Sequence, residues 1–110
     1  RVCIRDSIDS FREYIKVYPG EYHAYKRIAE IYEKDLGSFR AAALEYEEML
    51  EMDIPKSRWG WAAIHLCNLY SGKLDDSDRA LALLQRVANE CSETTAGQKA
   101  RDRLAKIAAG

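Results

Sequence analysis

Any chemistry in this chain would have to start from its cysteines and histidines, the side chains that most often act as nucleophiles, bases and metal ligands. His65 and Cys67 are a close pair, but two residues apart on a helix they point in different directions. Cys3 and Cys91 lie far apart in the sequence. His23 and His65 both fall on predicted helices, and no motif in the sequence assigns either of them an orienting partner. We therefore expect no enzyme activity, no metal site and no cofactor. The alternative, an enzyme that uses Cys67 or His65, requires a reactive Cys67 thiol in the native protein.

A short acidic run, Asp75-Asp76-Ser77-Asp78, superficially resembles a calcium-binding loop. It lacks the central glycine and the twelfth-position glutamate that such a loop needs for its turn and its bidentate ligand. Carboxylates are also favourable at the positive end of a helix dipole, and Asp76 or Ser77 is suited to cap a helix. The run therefore predicts the start of a helix. The chain has no glycine-rich motif that could hold a phosphate group.

The composition predicts one soluble globular domain, because 110 residues that are 47% hydrophobic and 32% charged are enough for a core without a disulfide or metal. A net charge of −1 leaves no strong field to attract phosphates, so we expect no nucleic-acid partner. No apolar run approaches the ~18 residues of a membrane span, so we expect no membrane insertion. An odd number of cysteines without a C-x-x-C pair favours a reducing, cytoplasmic location. The chain starts with Arg1 inside an amphipathic pattern, which suggests a segment of a longer protein, and an upstream export signal would make the location periplasmic or cell-envelope.

Apolar residues recur at spacings of three and four along nearly the whole chain, which is typical of amphipathic helices. Prolines and glycines then divide the pattern into six helices with no place for a strand. The predicted helices run from the start of the chain to about residue 18 and over about residues 21–34, 38–52, 56–71, 76–91 and 95–109. The predicted buried faces are Ile4, Ile8, Phe11, Ile15 and Tyr18; Tyr25, Ile28, Ala29 and Tyr32; Ala42, Leu44 or Tyr46, Met49 and Leu50; Ala62, Ala63, Leu66, Cys67 and Tyr70; Ala80, Leu81, Leu84 and Val87; and Ala100, Leu104, Ala105 and Ala108.

The helices repeat, because shifting the chain by 38 residues superimposes similar residue types. The superimposed pairs include Ala24 on Ala62, Ile28 on Leu66, Ala29 on Cys67, Tyr32 on Tyr70, Leu36 on Leu74, Ala42 on Ala80, Tyr46 on Leu84, Ala62 on Ala100 and Leu66 on Leu104. Small residues recur where two helices of a hairpin must approach closely. A single hairpin could not bury its apolar face alone, so we expect the hairpins to stack.

This pattern resembles the tetratricopeptide repeat, a helical hairpin of about 34 residues with the motifs W-x2-L-G-x2-Y, A-x3-F and P. The matching residues are Tyr25, Ile28, Ala29, Tyr32, Ala42, Tyr46 and Pro55 in the first complete hairpin and Ala63, Leu66, Cys67, Tyr70, Ala80 and Leu84 in the second. The departures are the longer spacing, with an extra residue near Gly37 and Asp75, and alanine in place of an aromatic at Ala63. The resemblance implies an all-α superhelix of stacked antiparallel hairpins, divided into a half repeat (1–19), two repeats (21–55 and 57–92) and a terminal helix (95–110). The terminal helix also resembles the tail of bacterial tetratricopeptide proteins of the cell envelope.

In the resembling fold the first helix of each hairpin lines a concave groove, and the outward positions of those helices are the candidate partner-binding residues. They are Lys26, Glu30, Trp61, Ile64, Asn68, Lys99 and Arg103. Trp61 and Ile64 are the candidate apolar anchors. The alternative is that Trp59 and Trp61 pack against neighbouring helix ends, with Gly60 allowing the close approach.

One subgroup of this family binds the terminal carboxylate of a peptide with lysine, two asparagines, lysine and arginine. The resemblance places Lys26, Lys99 and Arg103 at three of these positions, with Glu30 and His65 in place of the asparagines. Because Glu30 would repel a carboxylate, we do not expect this clamp. The acidic run of the third helix, Glu45, Glu47, Glu48 and Glu51, is expected to be a solvated face.

The sequence therefore predicts a non-catalytic scaffold that binds a peptide or a helix of another protein in its groove. The alternative is self-assembly, in which helix one, through Val2, Ile4 and Phe11, packs end to end against a second copy or against upstream repeats of a larger multi-repeat protein.

Overall fold

Residues 3–110, which the computed structural model describes, form six α-helices and no strand. The helices are α1 (Ile4–Val17), α2 (Tyr22–Glu30), α3 (Phe39–Leu50), α4 (Lys56–Ser71), α5 (Ser77–Glu90) and α6 (Thr95–Ala109), and α2 continues into a π-helical turn (Ile31–Asp35). The predicted all-helical fold is confirmed for this part of the chain, with each helix close to its predicted bounds. None of these helices combines the length and the apolar character needed to cross a bilayer. Val2, which the sequence assigned to the face of helix one, lies outside the described residues.

The chain divides into two compact units, Arg1–Asp53 and Ile54–Gly110, at the proline-containing break that the sequence predicts. The first unit contains α1, α2 and α3, and the second contains α4, α5 and α6. Consecutive helices pack against each other within each unit, and α4 also packs against α6. The stacking of hairpins into one superhelix stays a prediction.

Small residues lie where the helices of each hairpin are paired. Ala29 of α2 and Ala42 of α3 have no exposed surface, and Cys67 of α4 has none either. The Cys67 thiol reaches the carbonyl oxygen of Ala80 in α5, at 3.6 Å. A sulfur atom this close to the backbone of the next helix leaves no room for a larger side chain, which explains why the sequence repeats small residues at these positions.

The turns that follow α2 and α4 share a left-handed residue and two hydrogen bonds, although the first follows a π-helical turn and the second follows an α-helix directly. In each turn one residue adopts a left-handed conformation, Gly37 with φ of 61° and Asp75 with φ of 49°. The flanking amide groups also donate hydrogen bonds to equivalent carbonyl groups: Leu36 to Ile31 (3.1 Å) and Ser38 to Tyr32 (2.7 Å) in the first turn, and Leu74 to Leu69 (2.9 Å) and Asp76 to Tyr70 (2.6 Å) in the second. All of these pairs are related by the shift of 38 residues, so the structure shares the repeat seen in the sequence, including the extra residue in each turn.

The core contains most of the predicted buried residues, and the exceptions occur in every helix but α4. In α3 the buried residue is Tyr46 and not Leu44, and in α5 Leu83 is buried whereas Leu81 is exposed. The predicted faces of α1 and α6 are only partly covered. The residues predicted as buried that are half-buried or exposed are Ile4, Ile8, Phe11, Ile15, Tyr18, Tyr25, Tyr32, Leu104, Ala105 and Ala108.

A charged pair joins the first helix of the first unit to the third. The two terminal guanidinium nitrogens of Arg12, Nη1 and Nη2, donate to the carboxylate of Glu45, at 2.7 and 2.9 Å. Glu45 is only 8% exposed, so the prediction that it belongs to a solvated face is wrong, whereas Glu48 and Glu51 are exposed as expected. The hydrogen bonds to Glu45 raise the pKa of Arg12 above its ordinary value. The pair therefore links α1 to α3 through two parallel hydrogen bonds of fixed geometry.

The turn between α5 and α6 is held by Thr94, whose hydroxyl group bonds to both sides of it. The hydroxyl oxygen accepts from the amide of Gly97 at 3.0 Å and donates to the carbonyl of Cys91 at 2.7 Å. A Cβ atom on Gly97 would overlap that same carbonyl group. The turn therefore requires glycine at this position for steric reasons.

We expect Gly97→Ala to lower the free energy of unfolding by about 1–3 kcal/mol, because the added methyl group must displace backbone atoms. Denaturant unfolding followed by circular dichroism reports on the helices of both units, so it measures this variant and a control in the other unit alike. Gly20→Ala is the matched control, because a Cβ atom at Gly20 meets no atom within 4 Å. An unfolding midpoint for Gly97→Ala equal to that of the control would contradict the steric account.

Replacing Glu45 by alanine should also destabilise the protein, by about 1–3 kcal/mol, because Arg12 loses both of its charge-assisted bonds to a buried acceptor. The measurement is denaturant unfolding followed by circular dichroism. Glu48→Ala on the same helix removes an exposed carboxylate of the same type and should change stability by less than about 0.5 kcal/mol. Equal effects of the two substitutions would show that the Arg12 pair contributes nothing measurable.

Candidate functional site

A glycine allows α4 and α6 to lie side by side. A Cβ atom added to Gly60 of α4 would come within 2.8 Å of the Cβ of Ala96 in α6, which is closer than real side chains approach. Ala96 is fully buried at this point. The two helix backbones therefore meet at the first turns of α6, and the sequence feature that permits this contact is the absence of a side chain at Gly60.

Further along the same two helices, Arg103 donates a hydrogen bond from Nη1 to the Oδ1 atom of Asn68, at 3.0 Å. Asn68 is eight residues beyond Gly60, and Arg103 is seven residues beyond Ala96. The two contacts thus lie at similar distances along both helices, so α4 and α6 run in the same direction. The sequence placed Asn68 and Arg103 in one groove but did not predict that they bond to each other.

Trp61 lies on the face of α4 that also carries His65 and Asn68, because these residues are spaced by four and then three positions. The Trp61 side chain is 46% exposed, which is unusual for so large an apolar group. Trp59 differs, since it is buried and its ring lies 5.1 Å from the Arg86 guanidinium carbon. The alternative that the tryptophans pack against neighbouring helices, with Gly60 allowing the close approach, therefore applies to Trp59. Trp61 instead faces outward, as the groove prediction requires.

The remaining candidate residues are distributed differently from the sequence prediction. Ile64 is 3% exposed, so the expectation that it faces outward is wrong: α4 packs against both α5 and α6 and is covered on more than one side. Lys26 and Glu30 belong to α2 in the first unit, where Glu30 accepts a bond from Arg27 at 2.8 Å. The second unit thus brings together Trp61, Asn68, Lys99 and Arg103, which we call the α4–α6 face.

The charge of the α4–α6 face comes mainly from α6. Lys99 is exposed and lies one turn before the partly exposed Arg103. Asp102 accepts a hydrogen bond from Gln98 at 2.9 Å on a neighbouring position of the same helix. The face therefore combines an aromatic ring with two cationic groups, a combination that suits a ligand with both an apolar side chain and a negative charge.

The buried thiols have the opposite character from catalytic cysteines. Cys67 has no exposed surface, and its burial raises the pKa of its thiol to about 11, with the positive charge of Arg103 opposing that rise. Burial also raises the pKa of Cys91, whose thiol lies 3.8 Å from the carbonyl oxygen of Lys56. Both groups are neutral thiols at physiological pH, and a neutral thiol is a poor nucleophile. Within residues 3–110, no three histidine, cysteine or acidic side chains are grouped in a way that could hold a metal ion.

A comparison of the chain with models of protein families, with curated proteins and with solved structures finds no match.

We expect a thiol reagent such as Ellman's reagent to modify one thiol quickly in the native protein, that of Cys3, which is the exposed cysteine of the three. Cys67 and Cys91 should react only on unfolding.

Because the folded-state pKa of Cys67 is raised above its unfolded value, its contribution to stability is complete below about pH 9 and is lost as the pH rises towards 11. Mass spectrometry of the labelled protein identifies the modified residues, and rapid native labelling of Cys67 would support the catalytic alternative.

Proposed function

We propose that this chain is a non-catalytic protein-interaction module of the tetratricopeptide type, and that its α4–α6 face binds a peptide segment or a helix of another protein. The observation that carries the proposal is the exposure of Trp61 in line with the bonded pair Asn68 and Arg103. A tryptophan that is nearly half exposed costs free energy in water, and that cost is recovered when a partner covers it.

Tryptophan and arginine are the residues that most often dominate the binding energy of an interface. Trp61 offers a large apolar surface with few rotatable bonds, so little entropy is lost when it is immobilised. Arg103 is held in place by Asn68 before any partner arrives, which reduces the cost of ordering its long side chain. The two residues therefore act as a preorganised apolar and charged pair of anchors.

The charge of the face indicates what the bound segment must contain. Asn68 accepts one of the five N–H donors of Arg103, which leaves others for an acceptor on the partner. Lys99, one turn away on the same helix, adds a second positive charge. We propose that the partner segment carries a carboxylate, from an acidic side chain or from its own C-terminus, and a large apolar side chain that packs on Trp61.

The assignment to the tetratricopeptide type is supported by the residues that match the repeat motif in both hairpins and by the equal turns after α2 and α4. Lys26 and Glu30 lie in the other unit, and the proposal does not depend on them. Catalysis has less support, since the Cys67 thiol is buried and its pKa is raised.

A displayed library of random peptides provides the test, because it requires no knowledge of the natural partner. Selected peptides should share an acidic group and a large apolar residue. Their affinity, measured by fluorescence anisotropy of the labelled peptide, should fall about tenfold or more for Trp61→Ala and for Arg103→Ala. Tryptophan emission should also shift to shorter wavelength on binding, because Trp61 becomes covered while Trp59 is buried throughout.

Two control substitutions test whether the loss of affinity is specific to the α4–α6 face. Leu81→Ala removes an exposed apolar side chain from α5 of the same unit, and Arg40→Ala removes an exposed arginine from α3. Neither substitution should change peptide affinity by more than about twofold. Peptides that bind all four variants equally well would show that the binding surface lies elsewhere.

A further inference from the structure

The two anchors of the α4–α6 face are a fixed distance apart. Trp61 precedes Asn68 by seven residues on α4, and seven residues at about 1.5 Å each correspond to about 10 Å along the helix axis. The hydrogen bond from Arg103 to Asn68 places the guanidinium group at the far end of this interval. An apolar side chain that packs on Trp61 and a carboxylate that binds Arg103 must therefore lie about 10 Å apart on the partner, and both must point towards the face.

Three regular backbones differ in how they meet this requirement. A β-strand advances about 3.3 Å per residue, so three residues give the distance, but side chains three residues apart point to opposite sides. An α-helix advances about 10 Å in seven residues, and residues seven apart share one side. A polyproline II helix has three residues per turn and advances about 3.1 Å per residue, so side chains three residues apart point the same way and lie about 9 Å apart. The two helices therefore meet both conditions, and the strand does not.

The polarity of the α4–α6 face disfavours an α-helix as the bound form. A docked α-helix uses a stripe of apolar side chains at spacings of three, four and seven residues. Trp61 is the one apolar residue of the four that form the face. Ile64 of α4 and Ala100 of α6 are buried, so they add almost no apolar surface between the anchors. Most of an apolar stripe would consequently find nothing to contact.

A polyproline II helix suits a polar face with one aromatic group. Its backbone makes no internal hydrogen bonds, so its carbonyl groups can accept from side chains of the receptor. Asn68 and Lys99 are exposed and carry such donors. Segments of this form also dock on aromatic side chains and lose little entropy on binding. Resting on the function proposed above, we propose that the face binds a polyproline II segment in which a large apolar residue and a carboxylate lie three residues apart.

A series of short peptides tests the spacing. Each peptide is acetylated and amidated at its ends and carries one phenylalanine and one aspartate, separated by zero to seven serines, in both orders. Affinity for the full chain, measured by isothermal titration calorimetry, should be greatest when the two residues lie three positions apart, by about fivefold over positions two and four apart. A maximum at another spacing, or equal affinity at every spacing, overturns the proposal.

Proline at both intervening positions separates the backbone forms. The peptide Phe-Pro-Pro-Asp should bind about three- to tenfold more tightly than Phe-Ser-Ser-Asp, because proline fixes the polyproline II conformation before binding. In an α-helix or a strand, proline instead removes a backbone donor and weakens the bound form. Equal or weaker binding of the proline peptide therefore contradicts the proposal.

The source of the carboxylate is tested with the same spacing. Phe-Pro-Pro-Ala with a free C-terminus carries its negative charge on the main chain, and Phe-Pro-Pro-Asp with an amidated C-terminus carries it on a side chain. Tighter binding of the first peptide identifies the partner's own terminus as the source, and tighter binding of the second identifies an acidic residue. If neither peptide binds more tightly than amidated Phe-Pro-Pro-Ala, the proposal is overturned.

Two substitutions on α6 test which cation sets the spacing. Lys99 precedes Arg103 by four residues, which is about 6 Å along the helix axis in the direction of Trp61. Arg103→Ala should therefore abolish the preference for a spacing of three, whereas Lys99→Ala should weaken binding of all the peptides and keep the preference. A preference that survives Arg103→Ala overturns the proposal. Circular dichroism shows whether both variants keep their helices.

The proposed function and the bound backbone form can fail separately. If Trp61→Ala lowers the affinity of the peptides about tenfold but no spacing is preferred, the interaction face stands and the polyproline II segment is wrong. If no peptide of the series binds more tightly than one without phenylalanine and aspartate, both are wrong.

Discussion

The close approach of paired helices is the constraint on which the rest of this structure depends. In the second unit the Cys67 thiol rests against the backbone of the next helix at Ala80, and in the first unit Ala29 and Ala42 are completely buried. Both hairpins reverse direction with one left-handed residue in the connecting turn and with equivalent hydrogen bonds on either side of it. In both hairpins, small residues at the helix contact occur together with the same left-handed residue in the connecting turn.

Much of the fold could be predicted because its signals are local. Apolar spacing, capping residues and glycines act within a few residues of where they occur, and they gave the bounds of all six helices closely. The misassigned residues depend on partners distant in the sequence. In the sequence Glu45 is one member of an acidic run, and only the fold brings Arg12 beside it. Ile64 has the spacing of an outward-facing residue, but it is buried because two helices cover α4 on different sides. Amphipathic periodicity assumes one buried face, and this assumption fails for α4.

The candidate site, too, could be predicted where its signals are local and could not where they depend on distant partners. The sequence selects Trp61, Asn68, Lys99 and Arg103 one at a time, from their types and their helix positions. Their arrangement depends on how closely α4 and α6 meet, and the only local sign of that contact is the missing side chain of Gly60. A glycine inside a helix usually lowers its stability. Here it permits the contact from which the bonded pair of Asn68 and Arg103 follows, and that pair gives the face its preorganised charge.

The left-handed residue in the two turns also limits which residue types each hairpin can accept at that position. Gly37 and Asp75 occupy the same conformation although they share no chemistry, since glycine, asparagine and aspartate all tolerate it at modest cost. Positions on the helix surfaces accept more residue types, provided that the inner face stays apolar. The two turns can therefore differ in sequence and keep the same hydrogen bonds, so the spacing between them marks the repeat more clearly than any residue within them does.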